Sequence, residues 1–329
     1  MYNTIYHTGI NLSNYNFLIT GGAGFIGSNL VEYLLKNNAG KVRVLDNFST
    51  GSKENIAPFK SNPAFELIEG DIREFDTCEK AVEGIDFISH QAALGSVPRS
   101  INDPITTNEV NISGFLNMLV AARDAKTKRM VYAASSSTYG DSAKLPKVEE
   151  NIGNPLSPYA VTKYVNELYA DVFSRIYNFN TIGLRYFNVF GPRQNPKGPY
   201  AAVIPIFIES ALKNISPFIN GDGETSRDFT FVENAVQANI KAMFTANINE
   251  SEVVNIAFGE RTTLNSLWNQ ICAILGSDLQ PVYHEERVGD VKHSLANIVK
   301  AKKLIDYQPQ FSVSKGLDIT VDWYKTSGQ

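Results

Sequence analysis

Two cysteines in 329 residues, Cys78 and Cys272, form neither a CxxC pair nor a metal-ligand spacing. That scarcity excludes a disulfide-built scaffold and fits a reducing compartment. The four histidines, His7, His90, His284 and His293, are scattered without ligand spacing, so no metal site is expected. No apolar run reaches the length of about 18 residues that a membrane span needs. The opening MYNTIYHTGINLSNYN has neither the basic segment nor the apolar core of an export signal. The expected location is the cytoplasm, where sequons such as Asn111-Ile112-Ser113 and Asn214-Ile215-Ser216 carry no glycan. A net charge of −4 lacks the basic excess that attracts nucleic acid or anionic membranes, so neither is an expected partner. Internal repeats, low-complexity tracts and coiled-coil heptads are also missing.

The remainder is an ordinary soluble composition, 43% hydrophobic and 19% charged. Short β-rich runs at 17–20, 42–46, 65–69, 85–90, 129–135 and 181–186 alternate with helical patterns near 25–37, 74–83, 107–125 and 158–176. This alternation is the signature of βαβ units, and several strands are apolar throughout, as strands covered on both faces must be. The expected fold is α/β: a Rossmann-type doubly wound parallel sheet with a smaller C-terminal α/β substrate lobe. Residues 1–15 read as an appendage, 16–187 with 229–257 as the dinucleotide-binding domain, and 188–228 with 258–329 as the lobe.

TGGAGFIG at 20–27 crowds Gly21, Gly22, Gly24 and Gly27 into the point where a strand becomes a helix. Gly22-x-Gly24-x-x-Gly27 fits the dinucleotide fingerprint, in which glycines make a tight turn, admit a pyrophosphate and let helix and sheet pack closely. Asp46 closes the next strand 19 residues after Gly27. A carboxylate there accepts both ribose hydroxyls and repels a 2′-phosphate, favouring NAD over NADP; the alternative is that Asp46 caps the turn NFSTGSKEN. Asp71 and Ile72, ending the third strand, stand where adenine would be contacted or in a solvated turn.

Tyr159 and Lys163, four apart on a helix, share one face. A tyrosine of pKa about 10 is a poor base unaided, and a nearby lysine with the positive nicotinamide ring favours its anion. Ser135, Ser136 and Ser137 follow a strand at the end where open α/β sheets bind ligands, and a hydroxyl there can orient a substrate hydroxyl.

Together TGGAGFIG, DNFSTG, GDI, HQAA, SSSTYG, YAVTK and RYFNVFGPRQ resemble the extended short-chain dehydrogenase/reductase family over about residues 16–325. Within it the chain most resembles the UDP-hexose 4-epimerases, particularly bacterial enzymes acting on UDP-N-acetylglucosamine and UDP-N-acetylgalactosamine. The resemblance implies Tyr159 as base, Lys163 as its tuner and ribose ligand, and Ser135 as the residue orienting the sugar hydroxyl. It implies an NAD site of Gly21, Gly24, Phe25, Ile26, Gly27, Asp46, Asn47, Ser49, Thr50, Gly51, Asp71, Ile72, Gln91, Ala92, Ala93, Lys163 and Tyr186. Asn188, Arg227, Arg287 and Asp290 would hold the UDP, with Ser96, Ser136, Ser137, Tyr159, Ala202, Val203 and Ser294 beside the sugar.

Relatives that eliminate water or decarboxylate resemble one another in carrying an acidic residue just after the catalytic Ser or Thr. Ser136, Ser137 and Thr138 stand there, which disfavours those reactions and leaves redox-neutral epimerisation. Ser294 occupies a position where strict UDP-glucose/galactose epimerases resemble one another in having a bulky aromatic, leaving room for a 2-acetamido group; the alternative is a surface serine, with UDP-glucose as substrate, and Arg99 keeps a C6 carboxylate, that of UDP-N-acetylglucosaminuronic acid, in play. A non-catalytic NAD-binding protein is the reading from another class, and the retained Ser135, Tyr159 and Lys163 weigh against it. The long helices resemble those that pair as a four-helix bundle in family dimers, so a homodimer is expected.

Overall fold

The computed structural model describes residues 1–196, 201–246, 248–286 and 292–327. Seven runs pair into one sheet: β1 (Asn16–Thr20), β2 (Lys41–Asp46), β3 (Phe65–Glu69), β4 (Phe87–His90), β5 (Arg129–Ser135), β6 (Thr181–Tyr186) and β7 (Glu252–Ile256). Their order is β3-β2-β1-β4-β5-β6-β7, and every neighbouring pair is parallel. Successive side chains leave a strand on opposite faces. Phe17 and Ile19 therefore join Val42, Val44, Val131 and Leu184 in one core, while Leu18 joins Leu45, Ile88, Met130 and Tyr132 in the other.

Both cores need a cover, and the crossover helices supply it. The longer helices are α1 (Phe25–Lys36), α2 (Phe75–Val82), α3 (Gly114–Asp124), α4 (Pro158–Tyr177), α5 (Val203–Leu212), α6 (Val232–Phe244), α7 (Leu264–Leu275) and α8 (Val313–Ser327). Leu30 and Leu34 of α1, with Val236 and Ile240 of α6, close the first core. Cys78 of α2, Phe115 and Leu119 of α3, and Phe173 of α4 close the second. The sheet is doubly wound. A third core of Phe190, Phe207, Phe231, Trp268 and Leu317 gathers α5, α7 and α8, flanked by short two-stranded ladders. Among the described residues no helix is long and apolar enough to cross a membrane.

Three local expectations change. The strand expected at 85–90 begins at Phe87, because Ile85 N bonds the carbonyl of Val82 and the Asp86 carboxylate accepts from Asn16 N at 2.9 Å. The helix expected at 107–125 starts at Pro104 and widens into a π turn over Glu109–Ser113 before α3. The appendage of residues 1–15 is no loose tail, since Tyr2, Tyr6 and Leu12 are buried in the first core.

One polar device sits inside the second layer. Arg185 of β6 makes a fork with Glu167 of α4, Nε to Oε1 at 2.9 Å and an NH2 nitrogen to Oε2 at 2.7 Å, and its third arm reaches the carbonyl of Glu149. Both side chains are less than a tenth exposed, and the guanidinium lies 4.9 Å from the Tyr139 ring centroid. Removing one partner leaves an uncompensated buried charge. Glu167→Ala is therefore expected to lose roughly 3–5 kcal/mol in urea unfolding, and pairing Glu167→Leu with Arg185→Met to recover most of it. A single-variant loss below about 1 kcal/mol, the range of exposed pairs, would contradict this burial.

Candidate active site

The strands bring their C-terminal ends to a cleft of about 830 Å³. Its floor is the glycine turn. Gly21 has φ of +66°, and a Cβ there would lie 2.7 Å from the backbone nitrogen of Ala92. A Cβ on Gly27 would meet the Gly21 carbonyl oxygen at 2.1 Å, so any larger residue would push α1 off the turn. α1 starts from Gly24 without a capping side chain, and Phe25, Ile26 and Gly27 line the cleft. The uncapped N–H groups and the helix dipole suit an anionic pyrophosphate.

Asp46 ends β2 on the cleft wall. Its Oδ2 accepts from Ala23 N at 2.9 Å and its Oδ1 from Phe48 N at 2.8 Å, so it both caps the turn and faces the ligand space. Burial pushes its carboxyl up, against those two hydrogen bonds. Asp71 is held near 2, first by Arg73, with Asn47 Nδ2 donating to it at 2.8 Å. Asn47, Ser49, Thr50, Gly51, Ile72, Gln91, Ala92, Ala93 and Tyr186 complete this half of the cleft. The Gly cradle, the Asp46 carboxylate and the open helix end fit an adenine dinucleotide without a 2′-phosphate.

Ser135, Tyr159 and Lys163 also line the cleft. Lys163 Nζ donates to the carbonyl of Ala133 at 2.8 Å and lies 5.9 Å from the Tyr159 ring centroid. The lysine thus ties α4 to β5 before it serves the tyrosine. Burial pushes the Tyr159 phenol up, with the Ser135 hydroxyl acting the other way. One of the three ammonium donors is taken by that carbonyl, which holds Lys163 beside the Tyr159 ring. Burial lowers Lys163 to about 8, opposed by the carboxylate of Glu167 one turn on.

Sequence reasoning passed over the residues that hold this group. Asn111, sitting in the π turn, donates to the carbonyl of Leu94 at 3.2 Å and to Thr162 Oγ1 at 3.1 Å, and accepts from Leu94 N at 2.8 Å. It fixes the loop after β4 against α4. Asn239 of α6 donates to the Tyr186 hydroxyl at 2.6 Å and accepts from Gln91 Nε2 at 3.2 Å. Glu167 had a signal, continuing the Tyr159 and Lys163 face by another four residues; Asn111 and Asn239 had none.

The substrate half is less concentrated. Ser96, Arg99, Ser136, Asn188, Asn195 and Ala201 line the cleft. Ser137 turns away, its N–H and hydroxyl both bonding Ser135 Oγ, at 3.1 and 2.8 Å. Ala202 and Val203 stand beyond the lining at the start of α5, where Ala201 takes their place. Arg227 and Ser294 share a strip outside it: an Arg227 guanidinium nitrogen donates to the Lys292 carbonyl at 3.2 Å, and Asp228 N donates to Ser294 Oγ at 3.4 Å. The next peptide approaches the cleft, for Asn188 Nδ2 donates to the Asp228 carbonyl at 3.3 Å and Asn188 lines it. Arg287 and Asp290 lie outside the described residues.

Residues 17–257 match the model of the NAD dependent epimerase/dehydratase family. The UDP-glucose 4-epimerase of Mycolicibacterium smegmatis is 34% identical over 314 residues, spanning 95% of this chain and 99% of its own. A UDP-N-acetylglucosamine 4-epimerase from Methanobrevibacter ruminantium, solved with UDP-N-acetylmuramic acid, is 39% identical with a TM-score of 0.90, over 95% of this chain and 99% of its own. A UDP-glucuronic acid 4-epimerase from Bacillus cereus, solved with UDP-glucuronic acid and NAD, is 31% identical with a TM-score of 0.88 at the same coverage.

Lys163 carries a stability consequence. Its proton is held to about 8 in the fold and to 10.5 in a free chain. Between those values the unfolded chain binds more protons, so stability rises with pH across the window and the burial penalty is complete below it. Lys163→Met is expected to stabilise the cofactor-free protein at pH 7 by roughly 1–2 kcal/mol, to flatten the rise between pH 8 and 10, and to abolish turnover. Denaturant titrations across that range check it; a destabilised variant with an unchanged pH slope would contradict it.

Proposed function

The chain belongs to the NAD dependent epimerase/dehydratase family and is a UDP-sugar 4-epimerase that uses NAD; we propose that its preferred reaction interconverts UDP-N-acetylglucosamine and UDP-N-acetylgalactosamine. The observation that carries the sugar is Ser294. It sits just outside the cleft lining, accepting from Asp228 N, and the carbonyl of the same Asp228 takes Asn188 Nδ2 at the cleft; a small side chain behind that strip would leave the room for an acetamido group that an aromatic would take. The Methanobrevibacter ruminantium relative named for UDP-N-acetylglucosamine supports the same reading. Arg99 in the cleft favours UDP-N-acetylglucosaminuronic acid as the second reading, its guanidinium being the partner for a C6 carboxylate.

In this reading the glycine turn, α1 and Asp46 hold the dinucleotide, and Gln91, Lys163 and Tyr186 hold its nicotinamide end. When bound, NAD⁺ would supply the acceptor for a hydride from C4′ of the sugar and the source of its return. Ser135 orients the 4′-hydroxyl, Tyr159 takes its proton, and the same phenol gives a proton back to the 4-keto sugar after it turns. The ammonium of Lys163 and the cofactor's positive ring stabilise the phenolate that burial opposes. Ser136, Ser137 and Thr138 offer no carboxylate for elimination. Asn188 and Arg227, with Arg287 and Asp290, would hold the UDP. The exposed apolar side chains of Val161, Leu168 and Ile176 on α4, with Ile105 on the helix that starts at Pro104, support a homodimer through these helices.

Proton NMR with UDP-N-acetylglucosamine, UDP-glucose and UDP-N-acetylglucosaminuronic acid, without added NAD, tests the sugar. The C4 epimer is expected to accumulate fastest from UDP-N-acetylglucosamine; fastest conversion of either competitor overturns the preference. Ser294→Tyr is expected to slow the N-acetylated sugar roughly tenfold or more by overpacking while sparing UDP-glucose; equal loss on both contradicts it. Tyr159→Phe should fold, keep NAD and lose about 10²–10⁴ in rate. Unaltered turnover would remove the phenol from the mechanism.

A further inference from the structure

Residues 1–7 pack on the outer side of the helix whose inner end faces the dinucleotide. Tyr2 and Tyr6 are nearly fully buried. The Tyr2 hydroxyl donates to Asn29 Oδ1 at 2.5 Å, and Asn29 Nδ2 donates onward to the carbonyls of Phe25 at 2.8 Å and Pro192 at 3.1 Å. Phe25 opens α1 and lines the cleft, as does Asn195, three residues beyond Pro192. Arg193 closes the same seam, donating to the Ser28 carbonyl at 3.1 Å and pairing with Glu32. A second set of contacts anchors the segment itself. Glu233 of α6 accepts from Tyr2 N at 3.4 Å and Tyr6 OH at 3.1 Å, and the Tyr33 hydroxyl meets Tyr6 N and His7 Nδ1, each at 2.8 Å.

We infer that this N-terminal segment is a clasp on the cofactor helix, in which Tyr2, acting through Asn29, holds the first turn of α1 against Pro192 and thereby slows release of NAD. An amide has one oxygen to accept with and one nitrogen to donate with. Tyr2 occupies the oxygen, which points the nitrogen at both carbonyls at once. Without the hydroxyl the oxygen is buried and unsatisfied, and the amide loses the orientation that bridges helix and loop. The N–H groups that would bind the pyrophosphate belong to the turn so held. Long retention suits a redox-neutral cycle, since the cofactor ends each turnover in its starting state and has no need to exchange. The inference rests on the cofactor and the redox-neutral cycle, and is independent of which sugar is turned.

Release of NAD from the purified full-length protein is the test, followed after dilution into an enzymatic assay that consumes free NAD. Tyr2→Phe is expected to release NAD roughly fivefold faster, with saturating NAD restoring epimerase activity. His7→Ala, which loosens the segment at Tyr33 and away from the first turn, is expected to lower thermal stability and release NAD at the parent rate. Parent-rate release from Tyr2→Phe would overturn the clasp, as would equal acceleration in both variants, which would mean general loosening. Failure to turn over UDP-N-acetylglucosamine would bear on the sugar alone, because the release rate is read without substrate.

Discussion

The parting of the chain on either side of β1 is the constraint from which the site follows. β1 lies between β2 and β4, and the helix after β1 covers one core while the helix after β4 covers the other. Connections that leave in opposite directions open a crevice at the strands' carboxyl ends. The two loops that border it touch: a Cβ on Gly21 would strike the backbone of Ala92. Glycine is required there by contact between loops as much as by any ligand.

The chemistry is set against the folding energy. Tyr159 and Lys163 are drawn into the protein, where burial moves both away from the protonation states that catalysis needs. Lys163 is kept in place by a carbonyl of β5, and the carboxylate of Glu167 favours its charged form. Glu167 is itself balanced by Arg185. A charge chain from β6 through α4 to the cleft therefore supports the lysine from behind, and the phenol waits on the cofactor for the remaining positive charge. A fold optimised for stability alone would have apolar residues at these positions.

The parallel sheet and the cofactor cradle were legible because their signals are local. Apolar runs, the spacing of Gly22, Gly24 and Gly27, and Asp46 at the end of a strand each sit within one βαβ unit. What escaped depends on chain segments far apart. The Lys163 to Ala133 bond, the grip of Asn111 on Leu94, and Asn239 beneath Tyr186 join residues from different crossovers. Residues 1–15 read as an appendage because the partners of their tyrosines, Asn29, Tyr33 and Glu233, come from two later helices. Ser137 was grouped with Ser135 and Ser136 by its place at the end of a strand, and the tight turn after β5 bends its hydroxyl back onto Ser135.

The central claim is that a single cleft oxidises C4′ and reduces it again without losing what was removed. UDP-N-acetylglucosamine carrying deuterium at C4′ of the sugar, incubated with the protein in ordinary water without added cofactor, tests it most directly. The account predicts that the epimer formed keeps the deuterium at C4′, since the removed hydrogen stays in the cleft and returns to the other face. Epimer with protium at C4′, its label washed into solvent, would mean removal of C4′ hydrogen as a proton and would contradict the assignment of Tyr159, Lys163 and the dinucleotide cradle to one redox-neutral cycle.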